Sequence, residues 1–450
     1  MIKLGSLFDG SGGFPLAGSL CGVEPKWAAE VEPYPIAVTR SRFPSMHHLG
    51  DISKVSGAEI EPVDIITFGS PCQDLSVAGK RAGLKHEANG DEETTRSGLF
   101  MEAVRIIKEM REATNGMYPT FALWENVPGA FSSNKGEDFR TVLEELIRIV
   151  EPSTSVPPVP KAGWNYSDCY VGDGWSLAYR VFDAQYWGVP QRRRRIHLVL
   201  DLRGERAREV LFEREGVRGY FAEGRTPWQG AAADPQGSPA PNDQEGTLFE
   251  PRSMKEENWS EQSVKNALRA EASKSSYAVI EKLVRDDITG YTIDRPAVAY
   301  LASGKETVGT LMANAGTKLW LGNQEAFSGD YHIVEESQSP VRYIVRRLTP
   351  TECARLQGFA DRWGDIDEKT DFTDEEYRFW LGVRNTHAAI NGKAVKEYTK
   401  AQMLTWYGKL HTDSAEYKMW GNGIALPPAL YCMQGMTDVL NREEADEWLT

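Results

Sequence analysis

Short apolar runs alternate with amphipathic stretches over the first 200 residues of the chain. Four runs have the length of buried strands, and they occupy residues 2–8, 64–68, 120–124 and 195–202. Between them, apolar residues recur at helical spacing on two faces, formed by Leu99, Ala103, Ile106, Ile107 and Met110 and by Phe139, Val142, Leu143, Leu146, Ile147 and Val150. This alternation predicts an α/β fold with a doubly wound, mostly parallel sheet that binds ligands at the carboxyl ends of its strands.

The periodicity changes twice further along the chain. Residues 151–163 are rich in Pro and Ser and predict a surface loop, and residues 201–345 lose regular periodicity around a Pro- and Gly-rich connector. Regular structure resumes after residue 345, where Thr349 and Glu352 have the spacing of a helix capping box. We expect a main domain formed by residues 1–200 together with 415–450. A smaller, irregular inserted domain is expected at residues 201–345, and a connecting segment at residues 346–414.

The composition excludes several classes of protein. The chain of 450 residues has 41% hydrophobic and 26% charged residues, as ordinary globular proteins do. No apolar run reaches the roughly 18 residues of a membrane span, and the five cysteines are scattered without a CxxC pair. We therefore expect a cytoplasmic protein without a disulfide framework, a membrane segment or a metal site. The net charge of −14 disfavours nucleic acid as a partner, but arginine is concentrated at residues 191–197, so the total does not exclude one.

Three glycines follow the first predicted strand, at Gly10, Gly12 and Gly13. Glycine lets a backbone turn sharply and approach a ligand at a helix N-terminus. A nicotinamide-binding fingerprint needs its third glycine where this chain has Pro15, which disfavours a dehydrogenase. Alone, the loop is also compatible with a turn that serves only backbone geometry.

Two acids lie behind this loop at the ends of further predicted strands. Glu30 follows the loop by about 20 residues, the spacing at which a carboxylate binds ribose hydroxyls, and Asp51 follows a possible third strand. Either acid alone is more simply a solvated strand end. The ordered set of glycine loop and two acids favours a site for an adenosyl group.

Cys72 follows a predicted strand and the rigid Pro71, at the edge where this class of sheet gathers its chemistry. The polar, glycine-containing residues 73–98 behind it are typical of a lid that closes over a substrate. A thiolate is a strong nucleophile, and positive charge from Lys80 and Arg81 favours that form. The alternative is a free cysteine that fills the interior as a small hydrophobe.

Glu125 and Asn126 follow the next predicted strand. A carboxyl group after an apolar run is partly desolvated, which suits proton donation, although a Glu-Asn pair can also cap or turn the chain. The last predicted strand begins inside an arginine run. Since alternate residues of a strand share a face, Arg193 and Arg195 are expected to point together. A solvated charged face is the alternative explanation for that run.

Six motifs in this order resemble those of the S-adenosylmethionine-dependent DNA cytosine-5 methyltransferases. They are "FDGSGG", "SPCQDLS", "WENV", "QRRRRI", "RRLTPTECARLQGF" and "MWGNGIALP". Together they cover about the first 200 residues and the last hundred, and the ordered set is highly specific although no single motif is. The resemblance implies a methyltransferase Rossmann-like fold. It also implies that residues 201–345 are a target-recognition domain and that a bracing motif opens residues 346–414.

The resemblance implies roles for individual residues. Cys72 is expected to add to carbon 6 of cytosine, while Glu125 holds ring nitrogen 3 and the exocyclic amine, with Asn126 in its motif. Arg195 is expected to bind the flipped base and Arg193 to support the site. The methyl-donor pocket is expected to be lined by Phe8, Gly10, Gly12, Gly13, Glu30, Val31, Asp51, Ile52, Pro71, Leu99 and Asn422. The expected DNA-binding residues are Ser76, Gly79, Lys80, Arg81 and Arg347.

The implied activity is methyl transfer from S-adenosyl-L-methionine to a cytosine in a specific sequence of double-stranded DNA. A monomer is expected, with a cognate restriction endonuclease as a further partner in restriction-modification. A tRNA-directed relative and a catalytically silent binding relative stay open as alternatives. The long irregular segment disfavours the first, and the intact motif residues argue against the second.

The chain departs from the family pattern at several places, among them Gly423 and an insertion. Gly423 stands where many members have serine or alanine, which is expected to alter the closure of the donor pocket. An insertion at residues 361–416, with helices predicted at residues 374–383 and 394–407, has no role that the motifs assign.

Overall fold

The computed structural model describes residues 1–70, 98–212 and 348–449, together with six strands between residues 248 and 346. The strands of the first two parts are β1 (Lys3–Leu7), β2 (Glu24–Ala29), β3 (His47–His48), β4 (Ile65–Phe68), β5 (Phe121–Asn126), β6 (Ser167–Gly172), β7 (Trp175–Asp183) and β8 (Arg194–Asp201). The helices are α1 (Gly13–Leu20), α2 (Pro33–Arg42), α3 (Leu99–Ala113), α4 (Glu137–Ile147), α5 (Ala207–Leu211), α6 (Pro350–Leu356), α7 (Asp374–Ile390), α8 (Lys400–Tyr407), α9 (Asp413–Asn422) and α10 (Leu426–Leu449).

Strands β1 to β8 form one sheet in the order β3-β2-β1-β4-β5-β8-β7-β6. The first five strands of this order pair in parallel, and β8, β7 and β6 are added in antiparallel pairing. Strands β6, β7 and β8 follow one another without an α-helix between them, and short connections of this kind join antiparallel neighbours. The predicted fold class is confirmed, with an antiparallel edge that the strand–helix alternation did not predict.

Helices cover both faces of the sheet because alternate residues of each strand point to opposite sides. Trp124 of β5 packs in the layer of α3 and α4, and Leu123 packs in the layer of α1, α5 and α10. The helical faces predicted for α3 and α4 are buried in the first layer, except that Leu99 is half-buried. Val150 lies beyond the end of α4. Among the described residues, no helix is both long and apolar enough to cross a membrane.

The segment after residue 347 is helical, and threonines set where its helices begin. Thr349 caps α6 in a capping box with Glu352, as predicted, with the Glu352 amide 3.2 Å from the Thr349 hydroxyl. Helix α7 contains the helix predicted at residues 374–383. The prediction of a helix from residue 394 is wrong, because Thr399 caps α8 and the helix begins at Lys400.

The six strands between residues 248 and 346 form a second, antiparallel sheet. They are β9 (Leu248–Pro251), β10 (Trp259–Glu261), β11 (Ala278–Asp286), β12 (Gly290–Ile293), β13 (Ile333–Glu335) and β14 (Arg342–Arg346). Their order is β10-β9-β11-β14-β13, and β12 pairs with β11. This sheet lies within the residues predicted as the inserted domain and the start of the next segment, and the predicted domain boundaries stay a prediction.

Candidate active site

The loop after β1 turns sharply at its glycines. Gly10 and Gly12 have φ angles of 55° and 76°, in the left-handed region that favours glycine. A β-carbon at Gly13 would lie 2.5 Å from Cγ1 of Ile424, so packing requires glycine at this position. Phe8 also has a positive φ, 58°, which is a strained conformation of the kind that clusters at functional sites.

Glu30 follows the end of β2 and reaches back to the glycine loop. Its Oε2 accepts a hydrogen bond from the amide of Gly10 at 2.8 Å, and its Oε1 accepts from the amides of Val31 and Glu32 at 2.7 and 2.9 Å. Burial raises the pKa of the Glu30 carboxyl, and these backbone hydrogen bonds oppose the rise. Because each carboxylate oxygen has two lone pairs, Oε2 can still accept a hydrogen bond from a ribose hydroxyl. The residue therefore fits the sugar of an adenosyl group.

Asp9 lies in the same loop and is a site residue that the sequence did not reveal. Its side chain is buried; Oδ1 accepts a hydrogen bond from the hydroxyl of Ser6 at 2.7 Å, and Oδ2 has no hydrogen-bond partner among the described residues. Burial raises the pKa of Asp9 to about 7, against the lowering effect of Ser6, and the nearby Glu30 adds to the rise. A buried carboxyl group beside the turn gives the loop a titratable group in the neutral pH range.

The next predicted donor-site residues have structural contacts of their own. Asp51 caps the 3-10 turn Ile52–Lys54, accepting hydrogen bonds from the amide and the hydroxyl of Ser53 at 3.0 and 2.8 Å. Ile52 is buried in the layer of α3, and Leu99 is half-buried at the start of that helix. The cap is the simpler role for Asp51, and no described contact links Asp51 to Glu30.

The chain leaving β4 is held to the end of β5. The Asn126 side chain donates from Nδ2 to the carbonyl of Ser70 at 3.0 Å, and the indole of Trp124 donates to the Ser70 hydroxyl at 3.1 Å. Oδ1 of Asn126 also accepts from the amide of Val127 at 2.8 Å. Both strand β5 and the last described residue before Pro71 are thereby fixed at one edge of the sheet.

Glu125 and Arg195 form an ion pair at this same edge. The antiparallel register places Glu125 opposite His197, so Arg195, two residues earlier in β8, is a diagonal neighbour on the same face. Nε of Arg195 lies 3.1 Å from Oε1 of Glu125, and both side chains are largely buried. A β-carbon placed at Gly69 would lie 3.6 Å from Oε2 of Glu125, so the end of β4 passes beside the carboxylate. His197 is buried, which lowers its pKa to about 3 and keeps it neutral.

The arginine run alternates between the two sides of β8, as its spacing predicts. Arg193 is 3% exposed and donates to the carbonyl of Gly423. Arg194 is exposed, and its guanidinium lies 4.5 Å from the ring centroid of Tyr166. The run is therefore not a uniformly solvated face, because Arg193 and Arg195 point inward.

Gly423, which follows α9, packs against the glycine loop. A β-carbon at Gly423 would lie 2.8 Å from the Ser11 hydroxyl oxygen and 3.2 Å from Oε1 of Gln357. The indole of Trp363 donates to the carbonyl of Ser11 at 2.8 Å. Asn422, at the end of α9, is exposed. The absence of a side chain at Gly423 is what allows the loop to pack this closely.

Two buried glutamines also escape prediction from sequence. The amide of Gln191 is fully buried, and neither its nitrogen nor its oxygen has a hydrogen-bond partner among the described residues. The side chain of Gln357 donates from Nε2 to the carbonyl of Trp420, and the backbone carbonyl of Gln357 accepts from the amide of Leu426 at 2.8 Å. Gln191 opens the arginine motif, and that position was the one available signal for it.

Several predicted site residues lie outside the part of the chain that the structure describes. They are Pro71, Cys72, Ser76, Gly79, Lys80, Arg81 and Arg347. The described residues thus bring together Gly10 with Glu30, Glu125 with Arg195, and Asn126 with Ser70, and the nucleophile stays a prediction.

A family model described as C-5 cytosine-specific DNA methylase matches residues 2–149 and 171–379. The chain is 29% identical over 500 residues to a DNA N-6-adenine-methyltransferase of Escherichia phage P1, which covers 98% of this chain and 62% of that protein. It is 30% identical over 217 residues to the type II methyltransferase M2.BsuMI of Bacillus subtilis (strain 168), covering 48% of this chain and 45% of that protein. The chain thus spans less than two thirds of the length of both relatives.

The structure of the S. pombe Dnmt2 methyltransferase is similar over 98% of this chain and 100% of that chain. The sequence identity is 13% and the TM-score is 0.48.

Proposed function

Because the chain belongs to the C-5 cytosine-specific DNA methylase family, we propose that it methylates carbon 5 of cytosine in double-stranded DNA. The methyl donor is S-adenosyl-L-methionine, and the nucleophile is Cys72. The observation that carries this proposal is the buried ion pair of Glu125 and Arg195, 3.1 Å apart, at the edge where Asn126 holds Ser70. Cys72 follows Ser70 by two residues in the chain.

The donor fits the described residues. The glycine loop has the tight turn that lets a backbone approach a ligand, and Glu30 keeps a lone pair for a ribose hydroxyl beside Gly10. When bound, the donor supplies an electrophilic methyl group. The residues that would hold it are the loop from Phe8 to Gly13 and Glu30, with Gly423 packed behind Ser11.

The chemistry explains why these side chains meet. Carbon 5 of cytosine is a poor nucleophile, so the ring must first gain electron density. A thiolate that bonds to carbon 6 supplies this density, and Glu125 stabilises the ring at nitrogen 3 and the amine. Carbon 5 takes the methyl group, with S-adenosylhomocysteine as the leaving group. Carbon 5 then loses its proton to solvent and the bond between the cysteine sulfur and carbon 6 breaks, which restores both the aromatic ring and the thiolate.

Arg195 has two tasks in this scheme. Its guanidinium orients the Glu125 carboxylate, and its remaining donors are available to the base. The ring cannot be reached inside a stacked duplex, so the cytosine must be turned out into the site. We assign sequence recognition to residues 201–345 and expect a monomer, with a cognate restriction endonuclease as partner in a restriction-modification pair.

The test is methyl transfer from labelled S-adenosyl-L-methionine to duplex DNA by the purified full-length chain. Digestion to nucleosides and mass spectrometry identify the modified base. We expect 5-methylcytosine, and we expect Cys72→Ser to lose the activity while it keeps the fold. Label in N6-methyladenine, the modification named for the phage P1 relative, or label in tRNA alone would contradict the proposal.

A covalent trap tests the nucleophile independently. Duplex DNA with fluorine on carbon 5 of the target cytosine cannot lose a proton there, so the enzyme should stay attached when the donor is present. A band of lower mobility on a denaturing gel is expected for the wild type and not for Cys72→Ser. A band that persists in the variant would assign the adduct to another residue.

A further inference from the structure

The inserted helix α7 packs against α2, the helix that begins three residues after Glu30. The two helices share a small apolar core with α8, whose side chains exclude solvent between them. Its members are Ile36, Ala37, Phe372, Trp380, Met403 and Tyr407. The insertion is therefore part of the main domain at the end of β2, on the side of the sheet where the proposed donor site lies.

Polar contacts hold α7 to both ends of α2. Glu32, which precedes the first residue of α2, lies 3.5 Å from Nε2 of His387 in α7 and 2.8 Å from Nζ of Lys418 in α9. Burial alone would raise the pKa of Glu32, but the hydrogen bonds from His387 and Lys418 outweigh it and lower the pKa to about 2. At the other end, the Arg40 guanidinium lies 4.1 Å from the ring centroid of Phe379. Helix α7 is thus a fixed wall beside Glu30 and the strand ends.

A cavity of about 240 Å³ lies between this wall and the ends of β2 and β3. Its lining includes Glu30, Val31 and Leu49 on the side of the sheet. Helix α7 contributes residues that are three or four positions apart and so share one helix face, among them Phe379, Gly382 and Thr386.

The lining has the chemistry of a nucleoside site. The Glu30 carboxylate and the Thr386 hydroxyl are hydrogen-bonding groups suited to ribose hydroxyls, while Val31, Leu49 and Phe379 give an apolar surface for the rest of the sugar and its ring. Glu30 is also the residue that binds the glycine loop through Gly10, so this cavity and the loop share one carboxylate.

We propose that α7 is the outer wall of the methyl-donor site and contacts the ribose side of the bound adenosyl group. This inference rests on the proposed function, since it takes the donor to be an adenosyl compound bound at Glu30. It gives the insertion, which the motifs of the family do not require, a positioning role in donor binding.

Gly382 offers a clean test. It lies within the helix, it lines the cavity, and a β-carbon there would meet no atom within 4 Å. The β-carbon of Gly382→Phe therefore stands in open space, and we expect its ring to occupy part of the cavity that Gly382 lines. Gly382→Ala is the matched control, because it also replaces glycine with a better helix former and fills almost none of the space.

The affinity of the full-length wild type and of both variants for S-adenosylhomocysteine is measured by isothermal titration calorimetry. Thermal unfolding checks that each protein is folded. We expect all three proteins to fold, Gly382→Ala to bind within about twofold of the wild type, and Gly382→Phe to bind at least about tenfold more weakly. Equal affinity of the two variants for S-adenosylhomocysteine, whether lowered or not, would overturn the proposal that α7 is a wall of the donor site. A wild type that binds no S-adenosylhomocysteine would overturn the donor assignment itself, and the wall with it.

Discussion

Replacement of Asp9 by Asn should change how the stability of the protein depends on pH. Asp9 is 5% exposed, its Oδ2 has no hydrogen-bond partner among the described residues, and burial raises its pKa from 3.8 to about 7. Glu30 is the neighbouring acid that contributes to the rise, and Ser6 opposes it. Because the pKa is higher in the folded protein than in the unfolded chain, folding binds a proton between these two values.

The sign follows from that difference. The stabilisation is complete below about pH 4, falls by about 1.4 kcal/mol for each pH unit in the window between the two pKa values, and is gone above pH 7. Between about pH 5 and about pH 7.5, the loss through Asp9 amounts to about 2.5 kcal/mol. Asn cannot ionise, so the free energy of unfolding of the variant lacks this part of the pH dependence.

Urea denaturation of both proteins across this range measures the effect as a difference, in which the titrating groups that do not interact with Asp9 cancel. The Asn variant should gain about 2.5 kcal/mol on the wild type as the pH rises from about 5 to about 7.5. Ser6→Ala, which removes the hydrogen bond that favours the charged form, should move the loss of stability to higher pH. Parallel pH curves for wild type and Asp9→Asn would refute the reasoning, because they would mean that Asp9 has the same pKa folded and unfolded.

Three further predictions concern the contacts at the edge of the sheet. Gly423→Ala should destabilise the protein by about 1–3 kcal/mol and weaken S-adenosylhomocysteine binding, because its β-carbon would lie 2.8 Å from the Ser11 hydroxyl oxygen. The control in thermal unfolding is Gly408→Ala, whose β-carbon would meet nothing closer than 3.5 Å. An equal loss of stability in both variants would contradict this prediction. Asn126→Ala removes the hydrogen bonds to Ser70 and Val127 and should cost about 1–3 kcal/mol in urea denaturation. Asn126→Asp keeps the acceptor for Val127 but places a buried carboxylate oxygen against the Ser70 carbonyl, so it should cost at least as much. Arg195→Lys should lower methyl transfer at least about tenfold, since lysine lacks the planar guanidinium. Its affinity for S-adenosylhomocysteine, measured by calorimetric titration, should stay unchanged. Arg193→Lys weakens the hydrogen bond to the Gly423 carbonyl and should lower that affinity.

Much of the candidate site at the ends of β4, β5 and β8 could be predicted from sequence because it follows from local patterns. Apolar runs gave the positions of β4, β5 and β8, and the parallel pairing of β4 with β5 places Gly69 beside Glu125. Alternation along β8 separates Arg194 from Arg195. Strands β6 and β7 were missed, and with them the antiparallel direction of β8. That direction is what puts the start of β8 next to the end of β5.

What could not be predicted depends on contacts between residues far apart in the chain. The burial of Asp9 is invisible in "FDGSGG", where an aspartate before glycine is typical of a solvated turn. The hydrogen bond from Arg193 to Gly423 spans 230 residues, and that between Trp363 and Ser11 spans 352. No periodicity carries such information, because each pair is fixed by the tertiary packing of segments that are far apart in the sequence.

These distant contacts have a common consequence for the proposed donor site. The glycine loop is held from one side by Trp363 and Gly423, and Glu30 is flanked on the other by a helix that the family motifs do not require. Strand β8 connects the two halves of the chemistry, because Arg193 binds Gly423 behind the loop while Arg195, two residues on, binds Glu125. A change that moves β8 along its axis must therefore disturb donor binding and base activation together, whereas a change in α7 can alter donor affinity alone. That separation is the reason the wall variants at Gly382 and the arginine variants are informative in the same assay.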